Sequence, residues 1–508
     1  MLRALRQVAQ FFADQQAQIY LVGGSLRNLL LGDPCGDWDL VTDGDAHKLA
    51  RRLADALGGF YAHMHEKASR VVVRFPAGEE LVLDIAPLHG QTLEEDLRAR
   101  DFTLNAIAAP LAAVLEQLAR AGSLVGASVP LIDPLHGQAD LQKRQLRVVD
   151  AQVFRHDPLR MLRALRLAQR YTLVITAETE KLIRRDSPLL PQVAAERIQA
   201  ELSTLLAQPG ALDQLYRLDS CGLLMVLFPE LQAACGMRQP APHYWDVLEH
   251  SLQCVSTLEI LTAALEAEPA TPFAPELAAT PADDEALTEM RDLLREGEQQ
   301  GVFHFADLHA ARMKLAALLH DIGKPLTYTV DGQGGVHFYG HPQIGAPVAS
   351  EIMRRLSAST QDRRLVQLVT AHHMRPGQLG QDGPPTPRAI RRYFVDLGPT
   401  GMLVALFSLA DHLATLGPQP RTLAWSRHLA VTRQLLTSYI REREKIMPPR
   451  LVRADELMSR LRLQPGPILG QLLETIAEAQ ADGLIHSREE AILLAKEHVA
   501  RLSPLPEK

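Results

Sequence analysis

Apolar positions in the first 147 residues change period repeatedly, and each change marks an element. Residues 1–16, MLRALRQVAQFFADQQ, carry apolar side chains at helical spacing and no cleavage site, so they read as a first helix and not as a signal peptide. Short apolar runs predict strands over Gln18–Val22, Trp38–Val41, Arg70–Phe75 and Glu80–Ile85, with a helix over Asp45–Leu57 between the second and third. This alternation predicts an α/β head over 1–147. From Phe154 the period is helical, which predicts helical domains over 148–240, 241–415 and 416–508. The stretch EAEPATPFAPELAATPADDE, rich in Ala, Pro and acid, reads as a flexible insertion at about 265–300. A break at Pro465-Gly466-Pro467 separates amphipathic segments of the tail.

Within the head, LVGGSLRNLLLGDPCGDWDLVT (Leu21 to Thr42) concentrates the chemistry. Gly23 and Gly24 follow an apolar strand and precede a helix opening on Ser25. Glycines let backbone N–H groups approach an anion closely and the helix N-terminus adds its dipole, so a triphosphate fits there, with Arg27 close by. Asp37 and Asp39, two residues apart on a strand, point to one face and suit Mg²⁺ ions bridging a nucleotide's phosphates and an attacking hydroxyl. This pattern predicts phosphoryl or nucleotidyl transfer; a Gly-Gly turn with a capping D-x-D loop is the plainer alternative. Asp84, in ELVLDIA, is either a third carboxylate on the same sheet or a solvated strand-end acid. Arg100, Asp101 and Asn105 can grip ribose hydroxyls and phosphate oxygens, although turn chemistry accounts for this stretch as well.

HDPLRMLRALRLAQRY places Arg160, Arg163, Arg166 and Arg170 on one helical face, with Met161, Leu162, Leu165 and Ala168 opposite. A solvated arginine face is the common origin of such a stripe. Asp157 and Arg160 offer something sharper, being one turn apart at the helix start. A carboxylate that accepts from an exocyclic amino group beside a donating guanidinium matches the pairing edge of cytosine and, with a small shift, adenine; guanine and uracil are rejected.

The net charge of −7 argues against wholesale coating of nucleic acid, which leaves this basic stretch as the local exception. Cys35, Cys221, Cys235 and Cys254 form no C-x-x-C pair, which fits reduced thiols in a cytoplasm. No apolar run approaches the roughly 18 residues of a membrane span.

Taken in order, GGSLR…DWD, RDFTLNA, IDPLHGQADL…LR, DPLRMLRALR and ERIQAEL (Glu196, Arg197, Glu201) resemble the motifs of the class II tRNA nucleotidyltransferase and bacterial poly(A) polymerase family, over about the first 230 residues. The resemblance implies an α+β fold, with a polymerase-β-like head built on a mixed sheet, followed by all-α neck, body and tail. It implies metal carboxylates at Asp37 and Asp39, ribose and phosphate contacts from Arg100, Asp101 and Asn105, and a protein template for the base at Asp157 and Arg160. It also implies CTP, ATP, Mg²⁺ and tRNA as partners. Two positions depart from the family pattern: Asn28 stands for an acid after Arg27, and His156 for an acid before Asp157. A third departure is the short link Ala86–Thr92 before RDFT, where CCA-adding members and poly(A) polymerases carry a longer flexible loop. A missing loop is what CC-adding members show, so the expected product is a CC end completed by a separate A-adding enzyme, with a full CCA end left open; poly(A) polymerase is the alternative.

Farther on, His250, His320-Asp321, His341, His372-His373 and Asp411 lie in a helical region that resembles the HD-domain metal-dependent phosphohydrolases. The resemblance implies a first metal on His250, His320, Asp321 and Asp411, and a second metal or a phosphate at His341 with His372 or His373. Mixed imidazole and carboxylate ligands suit Mn²⁺, Ni²⁺, Fe²⁺ or Zn²⁺. A bound metal would activate water against a phosphoester, so a second activity on RNA ends or nucleotides is expected.

Overall fold

Helix α1 (Leu2–Asp14) buries Ala4, Leu5, Val8 and Phe12, the stripe its spacing predicts. The computed structural model describes residues 1–65, 68–76, 78–126, 129–419, 421–481 and 483–502. They fall into two units, Met1–Glu201 with Arg217–Val226, and Leu202–Tyr216 with Leu227–Lys508.

In the first unit the chain runs β1 (Ile19–Val22), α2 (Gly23–Leu31), β2 (Asp37–Thr42), α3 (Ala46–Leu57), β3 (Phe60–His65), β4 (Ala68–Arg74), β5 (Glu80–Pro87), α4 (Leu93–Arg98), β6 (Ala108–Pro110) and α5 (Leu111–Ala121). The strands form one sheet in the order β3-β4-β5-β2-β1-β6. It is mixed: β2 and β5 run parallel, the other pairs antiparallel. Period-two alternation sorts its faces. Trp38, Leu40, Val71, Val73, Leu81, Leu83 and Ile85 join α1 and α3 in one core. The intervening residues Asp37, Asp39, Arg70 and Asp84 therefore share the other face, beside a smaller cluster of Val22, Val41, Leu97, Ala106 and Ala108.

Apolar runs did not reveal β3 or β6. The first is an edge strand, FYAHMH, whose Phe60 is exposed, and the second is three residues ending in a proline, whose missing N–H an edge tolerates. Helix α3 begins where predicted, because the Asp45 carboxylate accepts from the Lys48 N–H at 3.1 Å.

In the second unit the helices Val247–Glu266, Ala311–Leu319, His341–Arg355, Thr360–His372 and Thr400–Leu416 pack together. Ala311–Leu319 is buried on nearly every side, as its unbroken apolar run LAALL requires. The span read as a flexible insertion is built differently. A helix occupies Pro281–Gln299, started by a capping box of Thr280 and Asp283 and burying Leu287, Met290 and Leu294. From it the Arg291 guanidinium donates to the carbonyls of Ala264, Pro269 and Thr271, at 2.9 Å each. The composition missed this because one cation satisfies the backbone of a segment that lacks its own ladder. A last cluster, including Leu457, Leu472, Ile476 and Ala491, forms the core of the C-terminal helices.

Among the described residues no single helix is long and apolar enough to cross a membrane. The pair Pro387–Leu397 and Thr400–Leu416, bent by 106°, passes that test only together, and Val404, Leu406, Phe407 and Leu409 of its second helix are buried as core.

Candidate active sites

The first site sits where β1 enters α2. Gly23 has φ +66°, and a Cβ there would stand 2.9 Å from Arg100 Nη1 and 3.7 Å from Asp39 Oδ2; one on Gly24 would stand 3.6 Å from the same oxygen. Only bare backbone leaves that space open. The helix begins at Gly23, two residues earlier than the sequence suggests, which frees Ser25 for another task. Its hydroxyl donates to Asp39 Oδ2 at 2.8 Å and accepts from the Asp39 N–H at 2.8 Å. Burial still pushes the Asp39 carboxyl above its ordinary value, against those hydrogen bonds.

Asp39 and Asp84 are opposite one another across the parallel β2–β5 pair. Asp37 lies one alternation away, its side chain 49% exposed. Arg70 sits opposite Asp84 on β4 and donates to both Asp84 oxygens at 2.8 Å and to Asp37 Oδ2 at 3.0 Å. The Asp84 hydrogen bonds raise the Arg70 pKa, so it is charged at any working pH. Nothing in the sequence pattern singled out Arg70; the β4–β5 register does. Three carboxylates on one face need positive charge, and a divalent cation is chemically suited to Asp37, Asp39 and Asp84 together.

Arginines surround this floor. Arg27 Nη1 donates to Asn105 Oδ1 at 2.6 Å, Asn105 Nδ2 donates to Asp101 Oδ1 at 2.9 Å, and Arg163 Nη1 approaches Asp101 Oδ2 at 3.4 Å. Arg166 Nε donates to Glu201 at 2.6 Å, and Arg100 holds Asp96 through Nε and Nη2. Gly23, Gly24, Asp39 and Asp84 line one cleft of about 540 Å³ together with Arg27, Arg100, Asp101, Asn105, Arg163 and Arg166. Asn28, which replaces an acid, keeps the acceptor geometry: its Oδ1 accepts from Arg27 Nη2 and from the Tyr171 hydroxyl, both at 2.8 Å. The charge is gone, and burial lowers the pKa of Arg27.

Asp157 and Arg160 lie in an adjoining cleft of about 1240 Å³ that shares Val41, Ala86 and Arg100 with the first. Their side chains do not bond each other, although the Arg160 N–H donates to the Asp157 carbonyl at 3.1 Å. Asp157 accepts from Arg197 Nη2 at 2.9 Å, and Arg160 lies 3.4 Å from the carbonyls of Ala99 and Arg100. The link from β5 to α4 is tightly held. His89 N–H donates to Asp96, Gln91 N–H donates to Glu95, and Thr92 forms a capping box with Glu95.

We expect Gly23→Ala to lower nucleotide turnover at least about tenfold in a steady-state assay and to lower the melting temperature by several degrees. The left-handed backbone and the Arg100 contact each cost about 1–2 kcal/mol.

The second site gathers at the end of the Ala311–Leu319 helix. His250 Nε2 is 3.0 Å from Asp411 Oδ1, and His320 Nε2 is 3.1 Å from Asp321 Oδ2. His341 Nε2 is 3.2 Å from Asp321 Oδ1, and Lys324 Nζ is 2.6 Å from Asp321 Oδ2. His320, His341 and His373 each direct Nδ1 to a carbonyl three residues back, at 2.8–2.9 Å. A carbonyl only accepts, so Nδ1 carries the proton and Nε2 offers its lone pair inward. His320 Nε2 is fully buried and makes no well-formed hydrogen bond even with Asp321 beside it. That donor set fits a divalent transition metal.

Charges inside the cluster follow. Burial opposes it, yet His320 and Lys324 hold Asp321 well below the usual carboxylate range, and the bond to His250 does the same for Asp411. Burial, with His320 next in weight, pushes His373 down to about 3. His320, Asp321 and His373 bring donor atoms together, whereas His372 belongs to neither such group. The reason is geometric: consecutive helical residues point about 100° apart, and only His373 faces inward. Lys324 was not singled out from the sequence.

Residues 19–147 match the family described as the poly A polymerase head domain, 173–235 the probable RNA and SrmB-binding site of polymerase A, and 247–416 the HD domain. The fold and sites thus define a nucleotidyltransferase head joined to an HD domain. The chain is 33% identical over 480 residues to the A-adding tRNA nucleotidyltransferase of Deinococcus radiodurans, covering 93% of each. It is 32% identical over 495 residues to the CC-adding enzyme of Thermus thermophilus, covering 95% of this chain and 93% of that one. It belongs to the tRNA nucleotidyltransferase family that includes these CC-adding and A-adding enzymes, and it is an enzyme. A CCA-adding enzyme solved with ATP shares its fold, at TM-score 0.58 and 20% identity over 100% of this chain and 95% of that one. The Thermotoga maritima CCA-adding enzyme solved with tRNA does so at 0.53 and 21%, over 98% and 95%.

Proposed function

We propose that the first site extends the 3′ end of tRNA with cytidines from CTP in the cytoplasm, ATP being the alternative substrate, and releases pyrophosphate. The observation that carries this reading is the triad of Asp37, Asp39 and Asp84 on one sheet face, under a cleft walled by Gly23, Gly24 and arginines. Mg²⁺ held by these carboxylates would lower the pKa of the attacking hydroxyl and neutralise phosphate charge. Gly23 and Gly24 admit the phosphates, Arg27, Arg100, Arg163 and Arg166 balance their charge, and Asp101 and Asn105 face the ribose. Asp157 and Arg160 present the donor–acceptor pattern of a cytosine edge once Arg197 and the backbone carbonyls release them.

The five-residue link after β5, pinned at His89, Gln91 and Thr92, supports CC addition because it leaves no free loop to re-aim the base pair for adenine. Another enzyme would then add the terminal adenosine. Incubation with tRNA lacking its tail, Mg²⁺, and CTP and ATP separately and together tests this on a sequencing gel. Two added cytidines that never become three support it. A single adenosine on a CC end would move the chain to the A-adding type, three nucleotides to the CCA-adding type, and a long ladder to poly(A) polymerase. Asp157→Ala should cut discrimination of CTP against UTP about 10- to 100-fold, the loss of one charged hydrogen bond worth about 1.5–3 kcal/mol.

A second reading rests on the buried donors of the HD site. His250, His320, Asp321 and Asp411 would hold a first transition metal, and His341 with His373 a second or a phosphate. That site would hydrolyse phosphoesters at RNA ends or on nucleotides.

A further inference from the structure

Cys254 stands one helical turn after His250 and is completely buried. A buried cysteine usually packs as a small apolar group, but this thiol faces the polar cluster. Its Sγ lies 3.6 Å from His250 Nε2 and 3.9 Å from Asp411 Oδ1. His250, Cys254, His320 and Asp411 each offer a donor atom within 4.8 Å of the others. Donors bound to one tetrahedral ion at ordinary metal–sulfur and metal–nitrogen lengths stand about 3.6 Å apart, which is the observed separation. The buried His320 Nε2, without a well-formed hydrogen bond, belongs to the same set and points independently to a missing positive partner.

We propose that Cys254 ligates the metal of the HD site as a thiolate, beside His250, His320 and Asp411, and that this centre is consequently built for Zn²⁺. The inference rests on the reading that the site holds a transition metal. A thiolate is a soft donor that favours Zn²⁺ over Mg²⁺ or Mn²⁺. Binding displaces the thiol proton to solvent as the metal–sulfur bond forms, so loading releases one proton that a site of imidazoles and carboxylates alone would not. The i, i+4 spacing presents both ligands from one rigid helix, so the sulfur needs no backbone movement to reach the ion.

Co²⁺ added to the metal-free full-length protein reports the ligand set directly. The wild type should bind one ion at this site with visible bands and a near-ultraviolet sulfur-to-cobalt charge-transfer band. Cys254→Ser should keep the visible bands and lose the charge-transfer band, and its retention of Zn²⁺ against a chelator should fall at least about tenfold. A variant carrying Cys35→Ser, Cys221→Ser and Cys235→Ser should keep the band, which makes the test independent of whether Cys254→Ser folds. Visible bands in the wild type without a charge-transfer band would overturn the Cys254 assignment and leave the metal centre standing. No cobalt bound at all would overturn the metal reading itself, and this inference with it.

Discussion

Asp37→Ala and Asp39→Ala should each lower the turnover of nucleotide addition at least about 10³-fold, with melting temperature nearly unchanged in Asp37→Ala and lowered by several degrees in Asp39→Ala. The two acids occupy the same face by strand alternation, yet their surroundings differ. Asp39 is buried and held by Ser25, whereas the Asp37 carboxylate is half exposed and accepts from the Arg70 guanidinium. On the proposed mechanism, removing either takes away a metal ligand where phosphate charge must be neutralised, a loss of several kcal/mol in the transition state and so about three powers of ten in rate. The structural cost is small for Asp37. For Asp39→Ala it is about 1–3 kcal/mol, because the Ser25 hydroxyl and N–H lose their acceptor. Asp39→Asn separates the effects, since the amide oxygen still accepts from Ser25 but carries no charge. Turnover by Asp39→Asn within tenfold of wild type, measured at saturating CTP and Mg²⁺, would remove the carboxylate from the mechanism. Arg70→Ala distinguishes the third acid: it should shift the Mg²⁺ dependence through Asp84 while leaving Asp39 in place.

What the sequence made legible depended on whether a feature was local. Period-two spacing put Asp37 and Asp39 on one face, because alternation is fixed by the strand alone. Arg70 and the pairing of Asp39 with Asp84 depend on register between strands distant in sequence, and no local pattern encodes register. Asn28 read as a lost charge, but its carbonyl still receives Arg27 and Tyr171, a partner more than a hundred residues away. The Asp157–Arg160 pair was visible as helical spacing; its engagement with Arg197 and with the carbonyls after α4 was not. In the HD region the succession of histidines and aspartates was readable, while the choice of His373 over His372 turned on where a helix faces its neighbours. The same limit explains the stretch around Pro281–Gln299, whose polar composition concealed a helix tied down by the single buried Arg291.

His320→Ala should abolish metal retention at the HD site and reduce the phosphohydrolase turnover proposed for it at least about 10³-fold, while nucleotide addition proceeds at the wild-type rate. His320 is the member common to both donor groups, so its loss opens each of them. Its imidazole is fixed by the Ala317 carbonyl at 2.8 Å and lies against Asp321 and Asp411 at 3.1 and 3.6 Å. Truncation also removes a completely buried imidazole and its bond to the Ala317 carbonyl, a large-to-small change in the core that costs about 2–5 kcal/mol. The second unit should therefore melt earlier in the metal-free variant, and added metal should raise the melting temperature of the wild type but not that of the variant. Elemental analysis, calorimetry and the two activity assays on one preparation separate the possibilities. Hydrolysis that survives in His320→Ala would place the activity elsewhere. A parallel loss of nucleotide addition would overturn the independence of the two activities.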